Sequence, residues 1–290
     1  MIDATEILKR IRKIEIKTKG LSKHLFSGDY HSAFKGRGMA FSEVRGYAYG
    51  DDVRNIDWNV TARTGDTHIK VFEEERELTV MLLIDISKSS FFGTRSNFKS
   101  DINAEISGVL AFSAISNHDK VGAILFSDRV EQYIPPKKGK SHILRIIREI
   151  IYHEPQGKGT DLKVALEYLN GVVKKRSIVF IMSDFLTDQY ETPLRIASKR
   201  HDVIGMHIYD RAEYQLPNVG LIRLVDMESG IKKLVDTSNA GTRRAYEKFF
   251  ASKRKQFNES FNKLGLDTIE VQVKEDYVKV LRNFFKKRIR

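Results

Sequence analysis

Residues 78–89 read Leu-Thr-Val-Met-Leu-Leu-Ile-Asp-Ile-Ser-Lys-Ser, a short aliphatic run that ends on an acid and two serines. A run of this length without alternation predicts a strand buried on both faces, because a half-buried strand would switch between apolar and polar residues. Segments 121–126, 178–183 and 203–209 have the same character. Between them the period changes to helical: Ile102, Ile106, Val109, Leu110 and Ile115, then Ile143, Ile146, Ile147 and Ile150, then Leu162, Ala165, Leu166 and Leu169. Strands alternating with helices predict an α/β fold, a mostly parallel central sheet with helices on both faces. Residues 129–134 are read as an antiparallel edge strand and 220–236 as a further strand pair. A helix over 239–264, a strand over 268–273 and a helix over 276–288 close the chain.

Upstream of the first run the pattern is different. Ile7, Leu8, Ile11 and Ile14 space an amphipathic helix over residues 3–17. From Gly20 to Gly65 no period holds, and Gly28, Gly36, Gly38, Gly46 and Gly50 are read as turns. So long an irregular stretch predicts a segment docked on a domain instead of a domain of its own. The chain is therefore divided into 1–77, a helix with an irregular docking segment, and 78–290, the α/β domain. Asp51, Asp52, Arg54, Asp57 and Arg63 are expected to form Arg-carboxylate pairs that, with the single tryptophan Trp58, dock this segment; a second acidic metal site is the alternative.

Bulk properties exclude several classes. The chain has 290 residues and no cysteine, so it needs no disulfide and has neither a thiolate metal site nor a cysteine nucleophile. Its apolar runs fall far short of the ~20 residues that span a bilayer, and its first residues lack the continuous apolar stretch of a secretory signal, so a soluble cytoplasmic protein is expected. The net charge of +12 is concentrated at 1–23, 243–255 and 276–290, and the remainder is close to neutral. Such clusters predict solvated helix faces, with peripheral contact to an anionic membrane as the sharper reading. No nucleic-acid partner is expected, because the basic segments are not interleaved with aromatics in a binding module.

Ligands of an open α/β sheet gather at the carboxyl ends of its strands. There the chain places Asp85, Ser87 and Ser89, then Thr160 and Asp161 at the start of a helix, then Ser183 and Asp184. All are oxygen donors. Mg²⁺ prefers about six oxygens at about 2.1 Å and usually takes one or two carboxylates, with hydroxyls and water completing the shell. Two carboxylates and neutral hydroxyls leave such a cation able to accept one more oxygen, which a carboxylate of another protein can supply.

Asp85-x-Ser87-x-Ser89, a Thr opening a middle helix and an Asp after the next strand resemble the metal-ion-dependent adhesion site of von Willebrand factor type A domains, in the order expected over 78–210. The resemblance implies a Rossmann-like type A fold and a metal site of Asp85, Ser87, Ser89, Thr160 and Asp184 holding Mg²⁺, with Mn²⁺ as the alternative. Residues 45–59, RGYAYGDDVRNIDWN, followed by Ala62-Arg63 and by VFEEER at 71–76, are similar to a bacterial family known as domain of unknown function 58. That family is often encoded beside MoxR-type AAA+ ATPases and other type A proteins, which are the partners the resemblance implies. Many of its members have N-terminal membrane helices and a β-rich insert, neither of which is found here, and Ser90-Phe91 stands where a Met is expected.

Taken singly, Asp85 with Ser87, and Thr160 with Asp161, also read as helix caps; taken together they favour a metal. Gly139-Lys140-Ser141 has the tail of a phosphate-binding loop, but Ile134 stands where its first glycine belongs. Asp85 lacks the second acid that a dehalogenase-type phosphatase places two residues on. The expectation is thus a metal-dependent protein-binding module and not an enzyme, with a metal-dependent phosphate-ester hydrolase as the rival.

Overall fold

A computed structural model of the protein describes residues 4–21, 27–34, 39–74, 77–91, 99–226, 228 and 230–289. The opening run forms β3 (Thr79–Asp85), and every residue from Val80 to Asp85 is buried. Its neighbours are β4 (Lys120–Phe126) and β6 (Ile178–Ser183), both parallel to it. Beyond β6 lie β7 (Asp202–Tyr209) and β10 (Asp267–Gln272), and beyond β4 lies β5 (Val130–Lys137). The sheet order is β10-β7-β6-β3-β4-β5, with β5 antiparallel at its edge. This is a doubly wound α/β arrangement, mostly parallel, as expected.

Side-chain alternation along β3 and β6 explains why neither strand alternates in polarity. Val80, Leu82, Ile84, Ile178, Phe180 and Met182 join one apolar cluster, and Met81, Leu83, Val179 and Ile181 join another on the opposite face. The first face is covered by α4 (Lys99–Ser116), α5 (Lys140–Tyr152) and α10 (Tyr277–Ile289), the second by α6 (Leu162–Val172), α7 (Glu191–Arg200) and α9 (Ala240–Asn262). With no polar face left exposed, alternation has no physical basis.

The chain runs from β3 to one side through β4 and β5, then returns to β6 on the other. Strand order therefore reverses between β3 and β6, and their carboxyl ends, Asp85 and Ser183, open a crevice there. The remaining elements include α8 (Arg211–Tyr214) and a separate antiparallel pair, β8 (Leu221–Val225) and β9 (Lys232–Asp236).

The stretch expected to be irregular is substantially ordered. After α1 (Ala4–Leu21) and α2 (Ser27–Phe34), strands β1 (Met39–Gly46) and β2 (His68–Glu74) pair antiparallel around α3 (Trp58–Thr64). Gly28 falls inside α2, Gly46 ends β1, Gly50 takes φ +103° at a turn, and Gly36 and Gly38 lie outside the described residues. The charged residues act locally. Arg45 donates two hydrogen bonds to Asp51 at 2.9 and 2.8 Å, Asp52 caps the 3₁₀ turn Val53–Asn55, and Asp57 accepts from the backbone amides of Asn59 and Val60 at the start of α3. Trp58 is 69% exposed, so its expected role in docking is incorrect. Aromatic, aliphatic and charged contacts join the N-terminal region to the sheet's first face: Tyr30 and Phe34 of α2 each lie 6.0 Å, ring centre to ring centre, from Phe285 of α10, Ile14 of α1 joins the same apolar cluster, and Lys17 pairs with Glu105 at 2.6 Å.

Candidate metal centre

β3 delivers Asp85 to the crevice, and Ile86 continues one step along β4 by donating its amide to the Phe126 carbonyl at 2.9 Å. The chain then turns, and the Ser87 amide donates to Asp85 Oδ1 at 2.9 Å. The other oxygen, Oδ2, accepts from Ser183 Oγ at 2.7 Å, tying the ends of β3 and β6 together. Ser87 Oγ and Ser89 Oγ lie 3.0 Å apart, and Ser89 Oγ donates to Asp184 Oδ2 at 3.1 Å. Asp85, Ser87, Ser89 and Asp184 thus lie around one cluster of oxygens, at most 8% exposed for Asp85, Ser87 and Asp184.

Thr160 is not part of this hydrogen-bonded run: its hydroxyl donates to Glu228 Oε1 at 2.8 Å, and burial, with the Asp184 charge adding to it, raises the Glu228 carboxyl. Asp161 serves as the cap of α6, accepting from the Lys163 amide at 2.9 Å, while its own amide donates to the Ser127 carbonyl at the end of β4.

Burial, reinforced by the neighbouring Asp184 charge, pushes the Asp85 carboxyl up to about 7. Asp184 behaves in the opposite way. Burial alone would raise it, but the Lys99 ammonium, 3.1 Å from Oδ2, overrides that and holds the carboxyl below its ordinary range. Lys99 is 2% exposed and also contacts Glu213 Oε1 at 2.6 Å. Burial works against its charge, yet Asp184 and Glu213 together raise its pKa above the ordinary value for lysine.

The donors fit a hard divalent cation in kind: two carboxylates, three hydroxyls and no soft ligand. A buried oxygen, Asn103 Oδ1, has no hydrogen-bond partner, while Asn103 Nδ2 donates to the Asp85 carbonyl at 3.5 Å. Among the described residues no group of three or more His, Cys, Asp or Glu is placed to hold a metal ion. A cation here would consequently rely on serine and threonine hydroxyls, and on water, as well as on the two acids.

A family model described as protein of unknown function DUF58 matches residues 43–256. The chain belongs to the DUF58 family. Among its relatives, the uncharacterized protein Rv1480 of Mycobacterium tuberculosis (strain ATCC 25618 / H37Rv) is 32% identical over 233 residues, 79% of this chain and 74% of the relative. The uncharacterized protein MAV169 of Mycobacterium avium is 26% identical over 160 residues, 54% of this chain and 94% of that one. Two solved structures resemble the DUF58 chain at low identity. BatB from Bacteroides thetaiotaomicron is 14% identical with a TM-score of 0.44, over 73% of this chain and 98% of its own. The SpRpn10 VWA domain is 12% identical with a TM-score of 0.40, over 72% and 95%.

Ser183 was foreseen as an oxygen donor beside Asp184, but three residues of this DUF58 chain's site region were not. Lys99, Glu213 and Glu228 have no sequence signal, because the bonds that place them span large separations: 85 residues from Lys99 to Asp184 and 68 from Thr160 to Glu228.

His207 of β7 is buried, and its Nε2 lies 2.9 Å from the Tyr214 hydroxyl. Burial pushes this imidazole down to about 4; the Glu270 and Asp184 charges oppose the shift, and Lys99 and Arg254 add to it. The folded state thus binds fewer protons than the unfolded chain, where a histidine titrates near 6.5. Its contribution is fully present above about 6.5 and is lost as the pH falls toward about 4, at most about 3 kcal/mol. The Asp85 carboxyl, raised to about 7, acts in the opposite sense over the same range, so the comparison is between proteins: from pH 7.5 to pH 4.5 in urea unfolding, the parent should lose more stability, or gain less, than His207→Gln. An unchanged slope in the variant would place the acid sensitivity elsewhere.

No helix among the described residues is long and apolar enough to cross a membrane.

Proposed function

We propose that this chain is a protein-interaction module that captures an acidic group of a partner protein through Mg²⁺, or Mn²⁺, held by Asp85, Ser87, Ser89, Asp184 and Thr160. The observation that carries the reading is the hydrogen-bonded run from Asp85 through Ser87 and Ser89 to Asp184 at the point of strand reversal. When bound, the cation would supply a coordination position for a carboxylate oxygen. The residues supply the rest: Ser183 and the Ser87 amide orient Asp85, and the Leu186 amide, 3.3 Å from Asp184 Oδ1, orients Asp184.

The partner class is a MoxR-type AAA+ ATPase or another type A protein, a reading supported by the family resemblance, and the place of action is the cytoplasm. Contact of the basic helix faces with anionic lipid is compatible with this role. Hydrolysis of phosphate esters would require a base beside the metal. Lys99 is held protonated between two carboxylates, and no observation favours that chemistry.

Asp85→Ala should lower Mg²⁺ affinity at least ~100-fold, the upper range for disrupting a metal shell. The folded state should survive, because each hydrogen-bond partner the change frees, the Ser183 hydroxyl and the Ser87 amide among them, costs about 1–3 kcal/mol. Calorimetric titration with circular dichroism measures both. Mg²⁺ binding that is equal in variant and parent would remove Asp85 from the site. A pull-down from native lysate, with and without EDTA, tests the function: capture of the ATPase that persists in EDTA would overturn the metal-bridged reading.

A further inference from the structure

Two helices on the first face of the sheet bury one stripe and turn a basic one outward. In α10, Tyr277, Leu281 and Phe285 join the apolar cluster of that face, and the exposed residues Lys279, Arg282, Asn283, Lys286 and Lys287 recur at i, i+3, i+4, i+7 and i+8. That spacing is a single helical stripe. It carries four cations and no acid. In α1, Ile14 joins the same cluster, Ile11 and Thr18 are buried beside it, and Arg12, Lys13, Ile16, Lys17 and Lys19 are exposed. The two helices meet where Lys17 Nζ lies 5.3 Å from the centre of the Tyr277 ring, at the start of α10. Both stripes look away from the same sheet face and form one basic surface.

The charges of this surface are unmatched. On α9, against the opposite face, three consecutive cations each have an acid: Lys253 pairs with Asp188 at 2.7 Å, Arg254 with Glu270, and Lys255 with Glu259 at 3.7 Å. Among the described residues none forms an ion pair with Arg12, Lys13, Lys279, Arg282, Lys286 or Lys287, and the nearby acids are engaged elsewhere. Glu15 pairs with Lys140 at 2.6 Å, Glu105 with Lys17 and Asp202 with Arg288, while Asp276 accepts from the Val278 amide at 3.1 Å as α10 begins. Like charges held side by side repel, and a polyanionic surface relieves that repulsion.

The surface suits lipid better than nucleic acid. Its outward stripes hold no aromatic ring on which a base could stack. They hold isoleucine instead: Ile16 stands among the cations of α1 and is 68% exposed, and Ile289, 46% exposed, follows the cations of α10. Cations around an isolated apolar side chain match a layer of anionic headgroups with acyl carbon just below it.

We infer that the outward stripes of α1 and α10 are a docking face for an anionic bilayer, with Arg12, Lys13, Lys279, Arg282, Lys286 and Lys287 against the lipid phosphates. The crevice at Asp85 and Asp184 lies at the carboxyl ends of the strands, off this flank, so docking leaves it open. The inference goes beyond the metal-dependent capture proposed above and does not depend on it.

Vesicle sedimentation tests it with the full chain in EDTA, so that the outcome is independent of the metal site. The vesicles are phosphatidylcholine alone, or an equal mixture of phosphatidylcholine and phosphatidylglycerol. The protein should sediment with the mixed vesicles and not with the neutral ones, and rising salt should release it. Lys286→Gln combined with Lys287→Gln should weaken binding roughly 25-fold, at about fivefold per cation. Lys248→Gln combined with Lys255→Gln removes the same charge from exposed positions of α9 and should bind as the parent does. Circular dichroism checks that both variants keep the fold. Absence of binding to the mixed vesicles would overturn the docking face, and so would an equal loss in both variants, which would leave net charge alone as the cause. Capture of the parent by duplex DNA but not by mixed vesicles would overturn it in favour of nucleic acid.

Discussion

Lys99→Met should lower the unfolding free energy of the metal-free protein by about 3–5 kcal/mol, the range for breaking a buried ion pair from one side. The ammonium lies between Asp184, at 3.1 Å, and Glu213, at 2.6 Å, and all three side chains are largely buried. Removing it leaves two acids facing each other with no counter-charge, in a region where water screens little. The same change should make the site more attractive to a divalent cation. Mg²⁺ should therefore stabilise Lys99→Met more than it stabilises the parent, an effect read by urea unfolding in EDTA and in Mg²⁺. A variant as stable as the parent in EDTA would mean that the acids are not held by Lys99. A variant indifferent to Mg²⁺ would mean that they do not form a cation site.

Phe257→Ala should cost about 3–5 kcal/mol, as expected for emptying an aromatic core position, and should weaken Mg²⁺ binding as well. Phe257 of α9 is buried and lies 4.2 Å, ring centre to ring centre, from Phe185. Phe185 follows Asp184 directly and takes φ 52°, a left-handed conformation that a bulky residue adopts only when its surroundings enforce it. Phe257 and Phe261 close over Phe185 and over Gly205 of β7, where an added Cβ would lie 2.5 Å from the Phe261 ring. With that cover opened, the turn that aims Asp184 can relax to ordinary backbone angles. Thermal unfolding and Mg²⁺ calorimetry together check this. Lost stability with unchanged Mg²⁺ affinity would separate the aromatic cover from the site.

The strands of the central sheet were legible from composition alone. The runs 78–84, 121–126, 178–183 and 203–209 became Thr79–Asp85, Lys120–Phe126, Ile178–Ser183 and Asp202–Tyr209. Burial on both faces demands an aliphatic residue at every position, and that demand is written in consecutive letters. The antiparallel edge β5 and the pair β8–β9 were legible for a related reason, since turn residues punctuate them. β1 and β2 were not. Their hairpin stands apart from the central sheet, and a connection with glycines, charged residues and a short helix separates its strands, so no long apolar period marks it. Trp58 was misread because a large aromatic is usually buried, whereas here it begins a short helix whose first turn is held by Asp57.

Of the site, the sequence by itself determined what lies within a few residues: an acid and two serines spaced two apart as a strand ends, and a second acid at the end of the next parallel strand but one. Spacing is local information, and the i, i+2, i+4 pattern carries it intact. Only the tertiary structure decided which charges meet these groups. Lys99 and Glu213 come from a helix start and a short helix, far apart in sequence, and meet Asp184 only in the folded chain. Their effect depends on distance and burial, because an ammonium 3 Å from a buried carboxylate governs its charge, whereas the same lysine on a solvated helix face would govern nothing.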